Sequence, residues 1–357
     1  MEKLKRSLSS FAVPLLSILL AFLIGGIIMA ALGADPFAAL KYLFQGAFGS
    51  RANIGTTLSK STPLMFTALC ACFAYKCGVF NLGGEGQFLM GAMAAFLTAY
   101  FSGLTGFVGI LLALLAGTLA GGLWGLIPGI LKVTRGQNEM IISIMLNYVA
   151  TLFMGVLYTS WIRDENIPQT PAISKLVQLP RVISSMRFTW GFVLALVVGL
   201  VLYYVLFWTS GGFKLRAVGY NMTASRFNGI PVKRYILTSF IISGAIAGLG
   251  GGAELLGTQF RLINGFGAGY GFDGVAMALI GQLHPIATVI VALFFAALRV
   301  GSTTMQAATG VPTSVSDIIQ ALVIVFSVAG MALTKLPEFE SWKNRLFSKR
   351  KRKAGDK

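Results

Sequence analysis

Acidic residues are scarce in this chain. There are 12 Asp and Glu among 357 residues against 29 Lys and Arg, and charged side chains of both signs make up only 11%. A water-soluble domain carries about a quarter charged residues, so this composition leaves too little polar surface to face water. Histidine occurs once, as His284, and cysteine three times, as Cys70, Cys72 and Cys77. Zinc needs four ligands at recognisable spacing, which these do not provide, and an odd cysteine count speaks against a disulfide framework. Small residues in an apolar helix are the reading they support. No cofactor is expected. A Walker A lysine motif is absent, so any ATP hydrolysis would belong to another subunit. The ~10-residue alternation of a membrane β-barrel is absent as well.

What fills the chain instead is apolar. Hydrophobic residues make up 55% and mean hydropathy is +0.76. Runs of about 20 apolar residues recur along the whole length, and backbone groups in lipid must be satisfied within a helix. The expected fold is an all-α polytopic membrane protein of about ten spans, some broken or re-entrant. They fall near 11–33, 57–75, 79–101, 106–131, 138–160, 189–208, 236–258, 270–283, 285–301 and 317–334. The first apolar run, Phe11 to Leu32, exceeds the ~7–15 residues of a signal-peptide core and reads as a retained helix.

Charge distribution orients the spans. With the N-terminus inside, most of the 29 Lys and Arg fall on the cytoplasmic side, including Lys76, Lys132, Arg135, the Lys214–Arg234 loop and the tail "KNRLFSKRKRKAGDK". That is the positive-inside rule, and it makes both termini cytoplasmic. Arg299 falls at a span end. The net charge of +17 has no folded basic face or aromatic platform behind it, so nucleic acid is a poor reading. The organisation expected is a transmembrane domain over 1–335 and a basic cytoplasmic tail over 336–357. An external loop at 159–188 and a cytoplasmic loop at 211–235 interrupt the domain. In the second loop "NMTASRFNGI" reads as one short helix, with Asn221 as N-cap and Asn228-Gly229 as its stop.

Glycine is the next signal. Gly117, Gly121, Gly125 and Gly129 form a small-xxx-small ladder, and Gly244, Gly248 and Gly252 form another; such ladders serve close helix packing. "GYGFDG" at 269–274 satisfies a dinucleotide fingerprint without the strand that fingerprint requires. The stretch "CGVFNLGGEGQFLMGAMAAF" is different, because it puts Glu85 among Gly83, Gly84 and Gly86 inside an apolar run. A carboxylate at bilayer depth costs about 2.5–3.5 kcal/mol, so Glu85 must face a cavity, a partner or water. Broken helices are tolerated only where they line a cavity or are buried in protein. Asn81 and Gln87 add neutral donors and acceptors. "RLINGFGAGYGFDGVAMALIGQLHP" repeats the recipe with clustered glycines and Asp273. Two such segments in opposite halves point to a translocation path at their junction, the alternative being interfacial helix ends capped by Asn and Asp.

Four stretches in order, "FNLGGEGQFLMGA", "GQNEMIISIMLNYVA", "AVGYNMTASRFNGI" and "GYGFDGVAMALIGQLHP", resemble the signatures of ABC-importer permeases of the ribose and branched-chain amino-acid permease family. The nearest branch is the nucleoside and simple-sugar one, and the resemblance runs from about residue 60 to 330. It implies a multi-pass cell-membrane subunit that is not an enzyme. Its partners would be a second homologous permease, a cytoplasmic ABC ATPase and a substrate-binding lipoprotein. It implies that Ala217 to Ile230 is the ATPase-coupling loop, with Ala217, Gly219, Asn221, Ala224, Gly229 and Ile230 as its key positions. It also implies that Asn81, Glu85, Gln87, Asn138, Glu139, Asn147, Phe272 and Asp273 lie in or near the path. Tyr220 and Ser225 depart from the family's commonest loop wording. The expected cargo is a nucleoside, purine nucleosides foremost, with a ribose-like sugar as alternative. An ion-coupled secondary transporter is the rival class, for which Glu85, Glu139, Glu254, Asp273 and Asp317 would have to supply a relay.

Overall fold

The computed structural model describes residues 2–164, 167–183, 185–267 and 269–333. The tail 336–357 lies outside the described residues. Thirteen α-helices are found among the described residues, and no strand beyond two isolated bridges. The chain divides into two compact units, 1–43 with 302–357, and 44–301.

In the first unit, α1 (Glu2–Ala31) packs against α13 (Ser314–Leu333). Ile319 of α13, fully buried, seats its side chain on Gly25 of α1, where any β-carbon would collide with it. The chain then turns at Gly33 into α2 (Pro36–Phe48), bent by 118° from α1. The sequence reading assigned no helix there. Its start is nonetheless a plain cap, since the Asp35 carboxylate accepts from the Phe37 amide at 2.9 Å and Pro36 opens the helix.

The second unit is built around α3 (Arg51–Lys76), α4 (Gly84–Phe101), α5 (Gly106–Arg135) and α10 (Val232–Glu254). Around this core run α6 (Glu139–Val156), α7 (Trp190–Trp208), α8 (Ser210–Tyr220), α9 (Met222–Phe227) and α11 (Tyr270–Ile280), and α12 (Pro285–Thr309) leaves the unit at its end. The expected glycine ladders face each other. A methyl on Gly121 of α5 would stand 2.6 Å from the Cα of Gly248 on α10, and one on Gly117 would stand 2.9 Å from the Gly91 carbonyl of α4. Backbone therefore touches backbone across three helices, the packing that drives helix association where lipid removes the hydrophobic term.

Among the described residues, five helices are long and apolar enough to cross a membrane: α5, α6, α7, α10 and α12. A sixth span results if α1 and α2 count together. The fold class is thus all-helical and membrane-spanning. α3 fails the test because its first half carries Arg51, Asn53, Thr56, Thr57, Ser59 and Lys60, yet Ser61 to Tyr75 is buried throughout. Several of its hydroxyls bond along the helix, as in Thr67 Oγ1 donating to the Pro63 carbonyl at 3.1 Å, and Thr57 Oγ1 donates to the Ala47 carbonyl of α2 at 3.0 Å. Burial inside protein, not contact with lipid, licenses that composition.

Candidate functional site

The first broken segment follows α3. Cys77 ends that helix, and Gly78 turns the chain with φ +76, a left-handed value that glycine adopts without a β-carbon clash. The chain then runs without helix to Gly83 before α4 starts at Gly84. The sequence reading began this span at residue 79. The structure delays the helix because amide side chains hold the backbone open.

Asn81, only 1% exposed, makes the central set of bonds. Its Oδ1 accepts from the Gly83 amide at 3.0 Å and from Gln87 Nε2 at 3.1 Å. Its Nδ2 donates to Gln87 Oε1 at 3.0 Å and to Ser243 Oγ of α10 at 2.8 Å. Asn147 of α6 straps the same segment from the other side. It accepts from the Gly86 amide at 2.8 Å and donates to the Leu82 carbonyl at 2.9 Å. Asn81 and Asn147 answer backbone groups where a helix starts inside the protein, and Gln87 holds the Asn81 side chain in place. They are enclosed and bonded to protein.

The second broken segment ends in α11, whose first turn lies against the first turn of α4. A β-carbon on Gly271 would collide with the Glu85 amide, and one on Gly274 would stand 2.7 Å from the Ala68 amide of α3. Two helix N-termini therefore meet, and each brings a carboxylate to its positive end, Glu85 on α4 and Asp273 on α11. Asp273 is ion-paired with Arg299 of α12, whose guanidinium lies 5.9 Å from the Tyr270 ring centre. Glu85 Oε2 is enclosed without a hydrogen-bond partner among the described residues. Phe88 packs edge-on to Tyr270 at 5.8 Å, while Phe272 is 47% exposed and Phe80 is 45% exposed. The junction thus offers two carboxylates, one guanidinium and the exposed ring of Phe272, whereas Phe80 packs edge-on to Tyr75 of α3 at 4.9 Å.

Not every candidate joins it. Asn138 is exposed and caps α6 by accepting from the Met140 amide at 3.0 Å, and Glu139 is paired with Lys132 Nζ at 2.6 Å. Both belong to the turn between α5 and α6. Glu254 is buried at the end of α10, where Gln259 Nε2 donates to it at 3.3 Å. Arg299 was missed. The sequence reading ended that span at 301 and put the arginine at its end, but α12 continues to Thr309 and carries it inside the helix. Only the tertiary pairing with Asp273 marks it.

The short helix expected in the loop 211–235 forms as its sequence directs. Asn221 Oδ1 accepts from the Ala224 amide at 2.9 Å, α9 ends at Phe227, and Gly229 follows with φ +74. The Asn221 amide donates to the Ala217 carbonyl, and the Ile230 amide to the Ser225 carbonyl. Ala224, Asn221 and Gly229 face solvent, and Tyr220 and Phe227 are each 86% exposed. Behind this tip, α8 runs backbone to backbone along the end of α3. A β-carbon on Gly219 would collide with the Lys76 carbonyl, and one on Gly78 would stand 3.1 Å from the Gly219 Cα. Cys77 Sγ meets the Tyr235 carbonyl at 3.6 Å.

A helical membrane protein with two broken helices meeting end to end at a charged junction, and a capped loop seated on the lead-in to one of them, is built as a transporter. The chain belongs to the family described as branched-chain amino acid transport system / permease component, whose model matches residues 53–328. It is 35% identical over 335 residues to the guanosine ABC transporter permease protein NupP of Bacillus subtilis (strain 168), covering 92% of this chain and 96% of that one. It is 33% identical over 333 residues to the nucleoside ABC transporter permease protein NupB of Lactococcus lactis subsp. cremoris (strain MG1363), covering 88% and 89%. Against the glucose ABC transporter permease protein TsgB13 of Haloferax volcanii it is 32% identical over 331 residues, covering 89% and 87%. No solved structure matches the chain. The chain is a multi-pass plasma-membrane permease, a transport component and not an enzyme.

Proposed function

We propose that this chain is the transmembrane permease subunit of an ATP-driven importer for nucleosides, purine nucleosides foremost. The observation that carries the reading is near end-to-end similarity to permeases named for guanosine and for nucleosides in two organisms. A second homologous permease completes the path, a cytoplasmic ABC ATPase drives it, and a substrate-binding lipoprotein delivers the cargo. Both termini and the loop 211–235 lie in the cytoplasm, and the loop 159–188 lies outside. Ten membrane-embedded segments are reached by counting the short or polar helices α3, α4, α11 and α13 with the apolar ones. The permease domain is 1–335 and the basic tail is 336–357.

The cargo passes the junction of α4 and α11. Glu85, Phe272 and Asp273 meet it there, and Asn81, Gln87 and Asn147 hold the broken helix in shape behind them. Asn138 and Glu139 act at the cytoplasmic end of the path. Aromatic faces suit a purine ring, which stacks without needing charge. The loop helix, with Ala217, Gly219, Asn221, Ala224, Gly229 and Ile230, fits a groove on the ATPase, and the exposed Tyr220 and Phe227 supply its apolar contacts. Movement of the ATPase pushes α8 against Lys76 and Gly78, and Val79 to Gly83 carries it to the start of α4.

A simple sugar is the second reading, favoured by the TsgB13 relative. Uptake of labelled guanosine, ribose and glucose, compared in cells with and without the gene, separates the two. Loss of guanosine uptake alone supports the nucleoside reading, and loss of sugar uptake alone moves the assignment. Uptake that persists without ATP and follows a proton gradient removes the importer.

A further inference from the structure

A second site lies away from the junction. A cavity of ≈ 610 Å³ opens between the start of α3, the segment 175–189 and the turn after α10. Four cations line it, Lys60, Lys175, Arg181 and Arg187, and no Asp or Glu is among its lining residues. None of Lys175, Arg181 and Arg187 forms an ion pair among the described residues. Glu254, fully buried at the end of α10, lies within electrostatic reach of Lys60, but the two form no ion pair among the described residues. Lys175, Arg181 and Arg187, all exposed, thus line one concavity with no carboxylate among its walls.

Their convergence is built in. The Ile173 amide donates to the Phe260 carbonyl at 2.9 Å and the Leu179 amide to the Leu256 carbonyl at 2.8 Å, which pins the segment to the helix core. Arg181 and Arg187 stand on a small hairpin closed by the Arg181–Thr189 bridge and by the Val182 amide donating to the Phe188 carbonyl at 3.1 Å. Ser59 and Thr258 meet at 3.4 Å on the cavity wall and add hydroxyls. Like charges gathered around one concave space repel one another, a repulsion that solvent weakens at exposed groups and a bound anion removes. Guanidinium groups match phosphate oxygens two at a time. The volume falls within the ~300–1,000 Å³ of small-molecule sites, so it admits a phosphate together with its organic substituent.

We infer that this cavity binds a phosphate ester, held by Arg181 and Arg187 with Lys175 beside them. The site is separate from the cargo junction, which presents the carboxylates of Glu85 and Asp273. The phosphate comes either from a soluble compound or from a lipid headgroup, and both sources use the same groups.

The test takes the full chain in phosphatidylcholine nanodiscs, titrated calorimetrically with inorganic phosphate and with adenosine monophosphate. In parallel, native mass spectrometry compares phosphatidylglycerol retained by the protein purified from vesicles of equal phosphatidylglycerol and phosphatidylcholine. The variants are R181Q/R187Q together and K175Q alone, each checked for an unchanged thermal midpoint. Saturable binding of a soluble phosphate that weakens at least tenfold in R181Q/R187Q, and less in K175Q, assigns the site to soluble phosphate. Selective retention of phosphatidylglycerol that the same variants abolish assigns it to a lipid headgroup. If no anion binds, or if the variants bind as the parent does, the inference falls and the cations are left to an acidic protein surface.

Discussion

The Cα of Gly219 on α8 lies so close to Gly78 at the end of α3 that a methyl on Gly78 would stand 3.1 Å from it. Gly219 in turn leaves no room for its own β-carbon beside the Lys76 carbonyl. Two backbones touch with no side chain between them. Displacement of α8 is therefore passed to the turn at 76–78 without loss in a flexible contact, and that turn leads straight into the unwound stretch before α4. Packed backbones have few intermediate arrangements, so such a contact transmits motion as a unit.

Gly219→Val tests this contact. The branched side chain has to push α8 away from Lys76, and overpacking of this kind costs about 1–3 kcal/mol. The expected outcome is a protein that still inserts but transports at least tenfold more slowly, with ATP hydrolysis no longer raised by substrate. Transport and ATPase assays on the reconstituted complex check it. Normal stimulation would show that α8 does not carry the signal.

Ala224→Asp probes the outer face of the loop. Ala224 is exposed, so the substitution disturbs nothing within the chain, but a carboxylate buried against a partner would be desolvated without a counter-charge. Loss of ATPase co-purification together with loss of transport is expected, at unchanged abundance in the membrane. Full transport by this variant would make the loop a linker.

Much of this was legible in the sequence, for physical reasons that differ by element. The α9 cap needed only local chemistry, Asn at the start and Asn-Gly at the stop, and it formed as read. The glycine ladders were legible as ladders because their spacing is helical, though not which helix each would face. A break was expected at Gly83, Gly84 and Gly86; it lies just before them, with Gly83 as the N-cap and Gly84 and Gly86 in the first turn of α4. The duty of Asn81, Gln87 and Asn147 was not, because an amide in an apolar run looks the same whether it faces a cavity or holds a backbone. Arg299 was beyond reach, since its partner Asp273 stands 26 residues away on another helix and only the folded chain joins them. α2 was missed by attention to apolar length alone, although Asp35-Pro36 marked its start.

Asn147→Leu separates holding the backbone from lining the path. Leucine keeps the volume but strands the Gly86 amide and the Leu82 carbonyl, and each buried group left unpaired costs about 1–3 kcal/mol. The thermal midpoint of the purified protein should fall clearly. Asn138→Ala removes only an exposed cap worth ~1 kcal/mol and should lower it much less. Equal midpoints for the two variants would deny Asn147 its strap.

The orientation is open to direct labelling. Cys70, Cys72 and Cys77 are buried and can be replaced by alanine to give a silent background. Ala224→Cys and Leu176→Cys each place one thiol on an exposed position, Leu176 being 63% exposed. In intact cells a membrane-impermeant thiol reagent should modify position 176 and leave 224 untouched until the membrane is opened. The reverse pattern inverts the topology.

The ion pair between Asp273 and Arg299 makes the sharpest demand on the junction. Arg299 is the cation that answers Asp273 there, with Glu85 close enough to Asp273 for the two carboxylates to repel each other. Removing one partner of a fully buried pair costs about 3–5 kcal/mol. This pair is partly open, with side chains 33% and 28% exposed, so a smaller loss of stability is expected and the larger effect should fall on transport. R299Q leaves two carboxylates facing each other across the ends of α4 and α11, which drives those ends apart. D273N leaves the guanidinium over Tyr270, where the ring face still attracts it. Transport should therefore fall further in R299Q than in D273N, both measured as guanosine uptake at matched membrane abundance. The reversed pair, D273R with R299D, restores attraction between the two positions but sets the new arginine at the positive end of α11. Partial recovery over R299Q is the expected result. A reversed pair no better than R299Q would mean that the fixed position of each charge, and not their mutual attraction, is what the junction requires.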